Sequence, residues 1–210
     1  EHGDDNILAA VLCGLARSNQ MRDPELASSQ MTEGIALYEA VAAPTIETSI
    51  ECFRAQSNAL VRAGSFGAAL EPLFAAQKIL DRHPSPGTRL RGLLLNDIAY
   101  AYFYDSQPEK AIAYLEQILE LLESSGRGAT LLYQRIAANK AVSLQVMGRT
   151  PDALNVFADL RRRMQTSGFR DRGAAIQLAQ YGDLLIEVGR IEEAEAIYTE
   201  GLAIAESVGY

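Results

Sequence analysis

Along most of this chain apolar residues recur at three- and four-residue intervals, and small or polar turn residues interrupt them at regular distances. Leu93, Leu94, Leu95, Ile98, Ala99 and Tyr102 keep that spacing in one stretch. Ala111, Ile112, Leu115, Ile118, Leu119 and Leu122 keep it in the next. Such intervals place side chains on one stripe of a helix and predict amphipathic α-helices. Strand signals are nearly absent. About ten helices are expected, near 5–18, 24–42, 45–63, 66–82, 87–104, 108–125, 129–147, 151–167, 170–188 and 191–207. Asp23-Pro24-Glu25, Gln107-Pro108-Glu109 and Thr150-Pro151-Asp152 put Pro in a first turn, where its missing N–H costs nothing, and an acid where the helix dipole favours it. Asp23 and Thr150 read as N-caps, with Ser106 one residue further out. Pro44, Pro84-Ser85-Pro86-Gly87, Gly126-Arg127-Gly128 and Ser167-Gly168 separate the helices.

The pattern repeats. Gly64, Ser106, Gly148 and Gly189 are each followed five residues later by Ala69, Ala111, Ala153 and Ala194, and four further on by Leu73, Leu115, Phe157 and Tyr198. The turn residues are spaced by 42, 42 and 41 residues. A fixed period of that size marks a solenoid of helical hairpins, each stacking on its neighbours to complete a continuous core. Ser57, Ala99, Ala141 and Gly182 in the first helices, with the four alanines in the second, let paired axes approach closely. These positions are structural.

On these residues the chain resembles the tetratricopeptide repeat family. The last unit carries the resemblance best, with Leu178, Gly182, Leu185, Gly189, Ala194, Tyr198 and Leu202 at the family's core positions. The third matches with Leu95, Ala99, Tyr102, Ser106, Ala111 and Leu115. The fourth does so with Ala137, Ala141, Leu144, Gly148, Ala153 and Phe157. The second does so with Phe53, Ser57, Leu60, Gly64, Ala69 and Leu73. The first unit, near 6–42, is degenerate and keeps Ala27. The resemblance implies a right-handed all-α solenoid of about five hairpins over residues 1–210, a single domain. The common repeat has 34 residues; the longer period here is similar to that of bacterial signalling proteins such as maltose-regulon activators, whose repeats form a sensor or docking arm. The chain opens without an initiator Met and reads as a piece of a larger protein.

Composition narrows the chemistry. Apolar residues make up 48% of the 210, and the formal net charge is −8. An acidic chain of this kind is not built for direct nucleic-acid binding, which needs a basic stripe to displace counterions. The local run Arg161, Arg162, Arg163 reads as cations complementing a helix C-terminus. No apolar stretch approaches a bilayer span. Cys13 and Cys52 lie in apolar helical runs and read as small buried hydrophobes in a reducing, cytoplasmic compartment. Catalysis lacks material: His2 and His83 are the only histidines, no spacing suits a metal, and no phosphate loop or dinucleotide fingerprint is present. A non-enzyme without cofactor or metal is expected.

Binding has more to work with. In stacked hairpins the first helices line the concave face. Helical spacing places Arg54, Asn58, Val61 and Arg62 there in the second unit, and Asn96, Tyr100, Phe103 and Tyr104 in the third. Arg135, Ala138, Val142 and Gln145 follow in the fourth, then Ile176, Ala179, Asp183 and Ile186 in the fifth. Rings for apolar side chains, amides for a backbone and arginines for a carboxylate suit a peptide. Arg54, Asn58 and Arg135 resemble part of the carboxylate clamp of chaperone-binding family members, although Asp97 stands where an amide would be wanted. Burial of the three rings between hairpins is the competing reading. The expected function is a protein- or peptide-binding module. The alternative is a sensory domain that binds a small molecule or signalling peptide and controls an attached DNA-binding, nucleotide-cyclase or kinase domain. Ile197, Ile204 and Val208 read as an apolar seam at an uncapped end, open to further repeats, another domain or a second copy in a homodimer.

Overall fold

A computed structural model describes residues 2–83, 87–128 and 130–209. Ten helices are found among them, with no strand: α1 (His2–Asn19), α2 (Pro24–Ala40), α3 (Ile46–Arg62), α4 (Phe66–Arg82), α5 (Thr88–Tyr104), α6 (Pro108–Ser124), α7 (Leu131–Val146), α8 (Thr150–Ser167), α9 (Arg172–Glu187) and α10 (Ile191–Ser207). The expected boundaries hold to within a few residues. Pro84, Ser85 and Pro86, read as a breaker, lie outside the described residues.

The turn chemistry explains the period. Gly64, Gly148 and Gly189 have φ of 75°, 71° and 77°, and Ser106 takes the same left-handed turn at 58°. A single left-handed residue reverses the chain between the helices of a hairpin, and Gly adopts it without steric cost. Ser106 is therefore the turn residue itself rather than an outer cap. Asp23 caps α2 by accepting from the Leu26 N–H, as the sequence indicated. Thr150 does not cap: it is the first residue of α8, preceded by Arg149. Thr45, Thr130 and Asp171 supply caps that the sequence reading passed over.

The chain forms two compact units, residues 1–107 with α1–α5 and residues 108–210 with α6–α10. In the first unit α1 packs on α2 and α3, and α4 packs between α3 and α5. Ala69, Leu73, Ala76 and Leu80 of α4 are wholly buried. Ala27 is buried as well, so the degenerate first hairpin keeps the repeat's packing. In the second unit the pairs α6–α7, α7–α8 and α9–α10 carry the same arrangement, with Ala111, Ala141, Ala153 and Ala194 at or near zero exposure. A Cβ added at Gly182 would stand 2.7 Å from the Tyr198 ring; only Gly leaves room for that ring at the closest approach.

Two expectations are corrected. Cys13 and Cys52 are buried, but as a disulfide rather than as free thiols. The bond ties α1 to α3, and Ala55, Ile35 and Tyr38 pack against it. The argument for a reducing compartment therefore loses its premise, since such bonds persist in oxidising ones. Of the expected seam, Ile197 and Ile204 are buried against α9, and only Val208 is exposed, with Ile191 and Leu202 of α10 also facing outward.

Candidate functional site

The first unit brings most of the expected residues onto adjacent faces of α3 and α5. Arg54, Asn58 and Arg62 stand one turn apart on α3, and Asn96, Tyr100 and Tyr104 do the same on α5, because i and i+4 share a helix face. Tyr100 and Tyr104 are each 44% exposed, far from core. Their ring centroids are 4.5 Å apart. Tyr104 also stacks on Phe66 of α4 at 5.6 Å and meets Phe103 edge-on at 5.4 Å. The result is a fixed aromatic shelf with open faces. Burial, then the hydrogen bond with Tyr104 and its charge, pushes the Tyr100 hydroxyl up to about 12, with Arg62 acting the other way.

The polar residues divide into two groups. Arg62 is exposed beside this shelf, its Nη1 2.9 Å from the sulfur of Met21. Asn58 is half-buried and donates from Nδ2 to the Arg54 carbonyl at 2.9 Å. Arg54 differs. It is 3% exposed, with Nε 2.6 Å from Asp97 Oδ2 and Nη1 3.1 Å from Glu51 Oε1. Glu51 also pairs with Arg17 of α1; burial first, then the Arg54 charge, lowers the Arg17 pKa. Asp97, which spoils the clamp resemblance, is the counter-charge that lets Arg54 lie buried. Arg54 thus ties α3 to α5 under the face and positions it. Sequence reasoning missed this because one pattern signals both an exposed and a buried arginine. The pairing with Asp97, one repeat along, was the available clue.

Arg135 is exposed on α7, in the second unit. Of its neighbours in the expected set, Ala138 is buried, and Gln145 donates from Nε2 to both oxygens of Glu187 at 2.9 Å. On α9 and α10, Ile176, Ile186, Ile191 and Leu202 line an open apolar groove of about 910 Å³, where Asp183 accepts from the Tyr198 hydroxyl. The arginine run is not a dipole complement. Arg161 pairs with Glu200, Arg162 with Asp159, and Arg163 with Asp159 and Glu123, its guanidinium 4.5 Å over the Tyr133 ring. Among the described residues no group of three or more His, Cys, Asp or Glu could hold a metal ion, and no helix is long and apolar enough to cross a membrane.

Solved structures with the same fold are helical-repeat proteins. Aspartyl phosphate phosphatase F from Bacillus subtilis superimposes with a TM-score of 0.80 at 16% identity, covering 97% of this chain and 52% of that one. The kinesin light chain TPR-like repeats of Podospora anserina give 0.73 at 17% identity, covering 99% and 97%. This is a tetratricopeptide-type repeat fold. A Rap conjugation gene regulator of plasmid pLS20, solved with a Phr peptide, gives 0.64 at 13% identity over 93% of this chain and 63% of that one. Among curated proteins, the Arabidopsis thaliana kinesin light chain-related protein 1 is 26% identical over 119 residues. Those residues are 56% of this chain but about a fifth of that protein's length. No family model matches the chain.

Proposed function

We propose that this tetratricopeptide-type chain is a non-catalytic module that binds an extended peptide or protein segment on the α3–α5 face. The observation that carries the reading is the pair of half-exposed, mutually packed rings at Tyr100 and Tyr104 beside the exposed Arg62. Rigid aromatic anchors with an adjacent guanidinium form the chemistry of a hot spot, at small entropic cost because the rings are already fixed. Arg62 takes a carboxylate, Asn58 and Asn96 take backbone groups, and Tyr100, Phe103 and Tyr104 take apolar side chains. Arg54 holds the face in place. Arg135, exposed on α7 of the second unit, is left outside this face.

The setting is a bacterial signalling or regulatory protein, in keeping with the repeat length. The peptide-bound Rap regulator of similar fold favours a second, related reading, in which the bound peptide is a signal passed to an attached effector domain. Selection of peptides from a random display library against the immobilised chain tests the proposal. Enriched sequences carrying an acidic residue near an apolar one, bound at least tenfold more weakly by Tyr100→Ala, support it. Failure to enrich, or equal binding by a folded Tyr100→Ala variant, contradicts it.

A further inference from the structure

The repeat places a second, unassigned surface on the opposite set of helices. In the second unit neighbouring second helices are tied by ion pairs: Arg163 of α8 to Glu123 of α6 at 3.2 Å, and Arg161 of α8 to Glu200 of α10 at 2.7 Å. Counting from Ala27, Ala69, Ala111, Ala153 and Ala194 gives the matching positions in the first unit. Glu39 of α2 stands where Glu123 does, but Ile79 of α4 takes the place of Arg163. Ile35 and Ala75 replace Arg161 and Glu200. Both ties are therefore missing between α2 and α4. In their place is a groove of about 1030 Å³, floored by Phe53 and Leu60 of α3 and walled by Met31, Ile35, Pro72 and Ala75.

Among the described residues, the charged ones lining this groove are Glu39 and Glu71. Both are exposed, and among the described residues neither makes an ion pair. In repeat register they lie ten residues apart, on the order of 15 Å along helices that run the same way. One carboxylate thus stands toward each end of an apolar trough. Pro72 offers no N–H to the Ala68 carbonyl, and two helices with a helical floor present no strand edge for β-addition.

We infer that the α2–α4 groove docks an amphipathic helix of a partner protein, with its apolar stripe on Phe53 and Leu60. Two Lys or Arg about eleven residues apart, three turns on one face, meet Glu39 and Glu71. The partner supplies the cation that Arg163 supplies to Glu123 within this chain. Helix-in-groove recognition accounts for the apolar floor, and the flanking carboxylates fix its register. The surface is separate from the α3–α5 face and independent of its ligand.

The test uses the intact chain and two fluorescein-labelled helical peptides of about 18 residues. They share Leu at three- and four-residue spacing and differ in carrying Lys or Glu at two positions about eleven apart. Fluorescence anisotropy is expected to show the Lys peptide bound at least tenfold more tightly than the Glu peptide. The Glu39→Lys/Glu71→Lys variant, checked for helicity by circular dichroism, should invert that preference. Ala75→Phe, which fills the groove, should abolish binding of both. Equal affinity for the two peptides, no binding of either, or a preference that the charge reversal leaves unchanged would overturn the assignment. Self-association in sedimentation that Ala75→Phe removes would also overturn it, because the occupant would then be a second copy.

Discussion

At the scale of single residues, Arg54 shows how burial decides a role. A guanidinium costs several kcal/mol to remove from water, and that cost is recovered only through good partners. Asp97 and Glu51 provide them. Truncating one partner is therefore more damaging than replacing the set. Asp97→Ala is expected to cost about 3–5 kcal/mol in urea denaturation, and Arg54→Met/Asp97→Leu to recover most of it. A single-mutant cost below about 1 kcal/mol would show that the pair is solvated. Tyr133 gives a pH signature. Burial first, then the hydrogen bond to Glu123, raises its hydroxyl to about 12. The folded state thus favours the neutral phenol. That stabilisation is complete below about pH 10, the unfolded value, and is lost as the pH rises through about 12. Tyr133→Phe should make this part of the stability curve less steep, as measured by denaturation at stepped alkaline pH. Tyr100 and Tyr198, also raised to about 12, keep the rest of the slope. An unchanged slope would place the loss elsewhere.

At the scale of helices, packing is governed by the small residues at each crossing. Gly182→Ala drives a Cβ into the Tyr198 ring, which is expected to cost about 1–3 kcal/mol. The double variant Gly182→Ala/Tyr198→Leu should regain part of this, and thermal melts of the three proteins check the coupling. The helices and their period were legible because the cue is local: a left-handed turn, an alanine five residues on, and a bulky residue four later. The Cys13–Cys52 bond was not legible, because a buried free thiol and a buried half-cystine share the same apolar context. Ile197 and Ile204 were misplaced for a related reason. Both stripes of α10 are apolar, and only contact with α9 reveals which is covered. On the α3–α5 face, periodicity brought Tyr100 and Tyr104 together correctly, but could not tell the exposed Arg62 from the buried Arg54.

At the scale of the whole molecule, the acidic chain divides into two compact units, and the disulfide belongs to one of them. Its residues are separated by 39 positions, for which loop-closure entropy in the unfolded chain suggests about 4 kcal/mol of stabilisation. Calorimetry with and without a reductant should lower one of two transitions and spare the other. A single transition shifting as a whole would show that the two units unfold together, and no shift at all would count against the bond's stabilising role. In the reading proposed above, two faces of the first unit bind different segments. The most direct measurement of the central claim is amide chemical-shift mapping by NMR with a peptide selected on the intact chain. Shifts confined to Asn58–Arg62 and Asn96–Tyr104, and absent from an equally stable Tyr100→Ala/Tyr104→Ala variant, are the expected result. Shifts that spare α3 and α5, or survive in that variant, would contradict the α3–α5 face as the binding site.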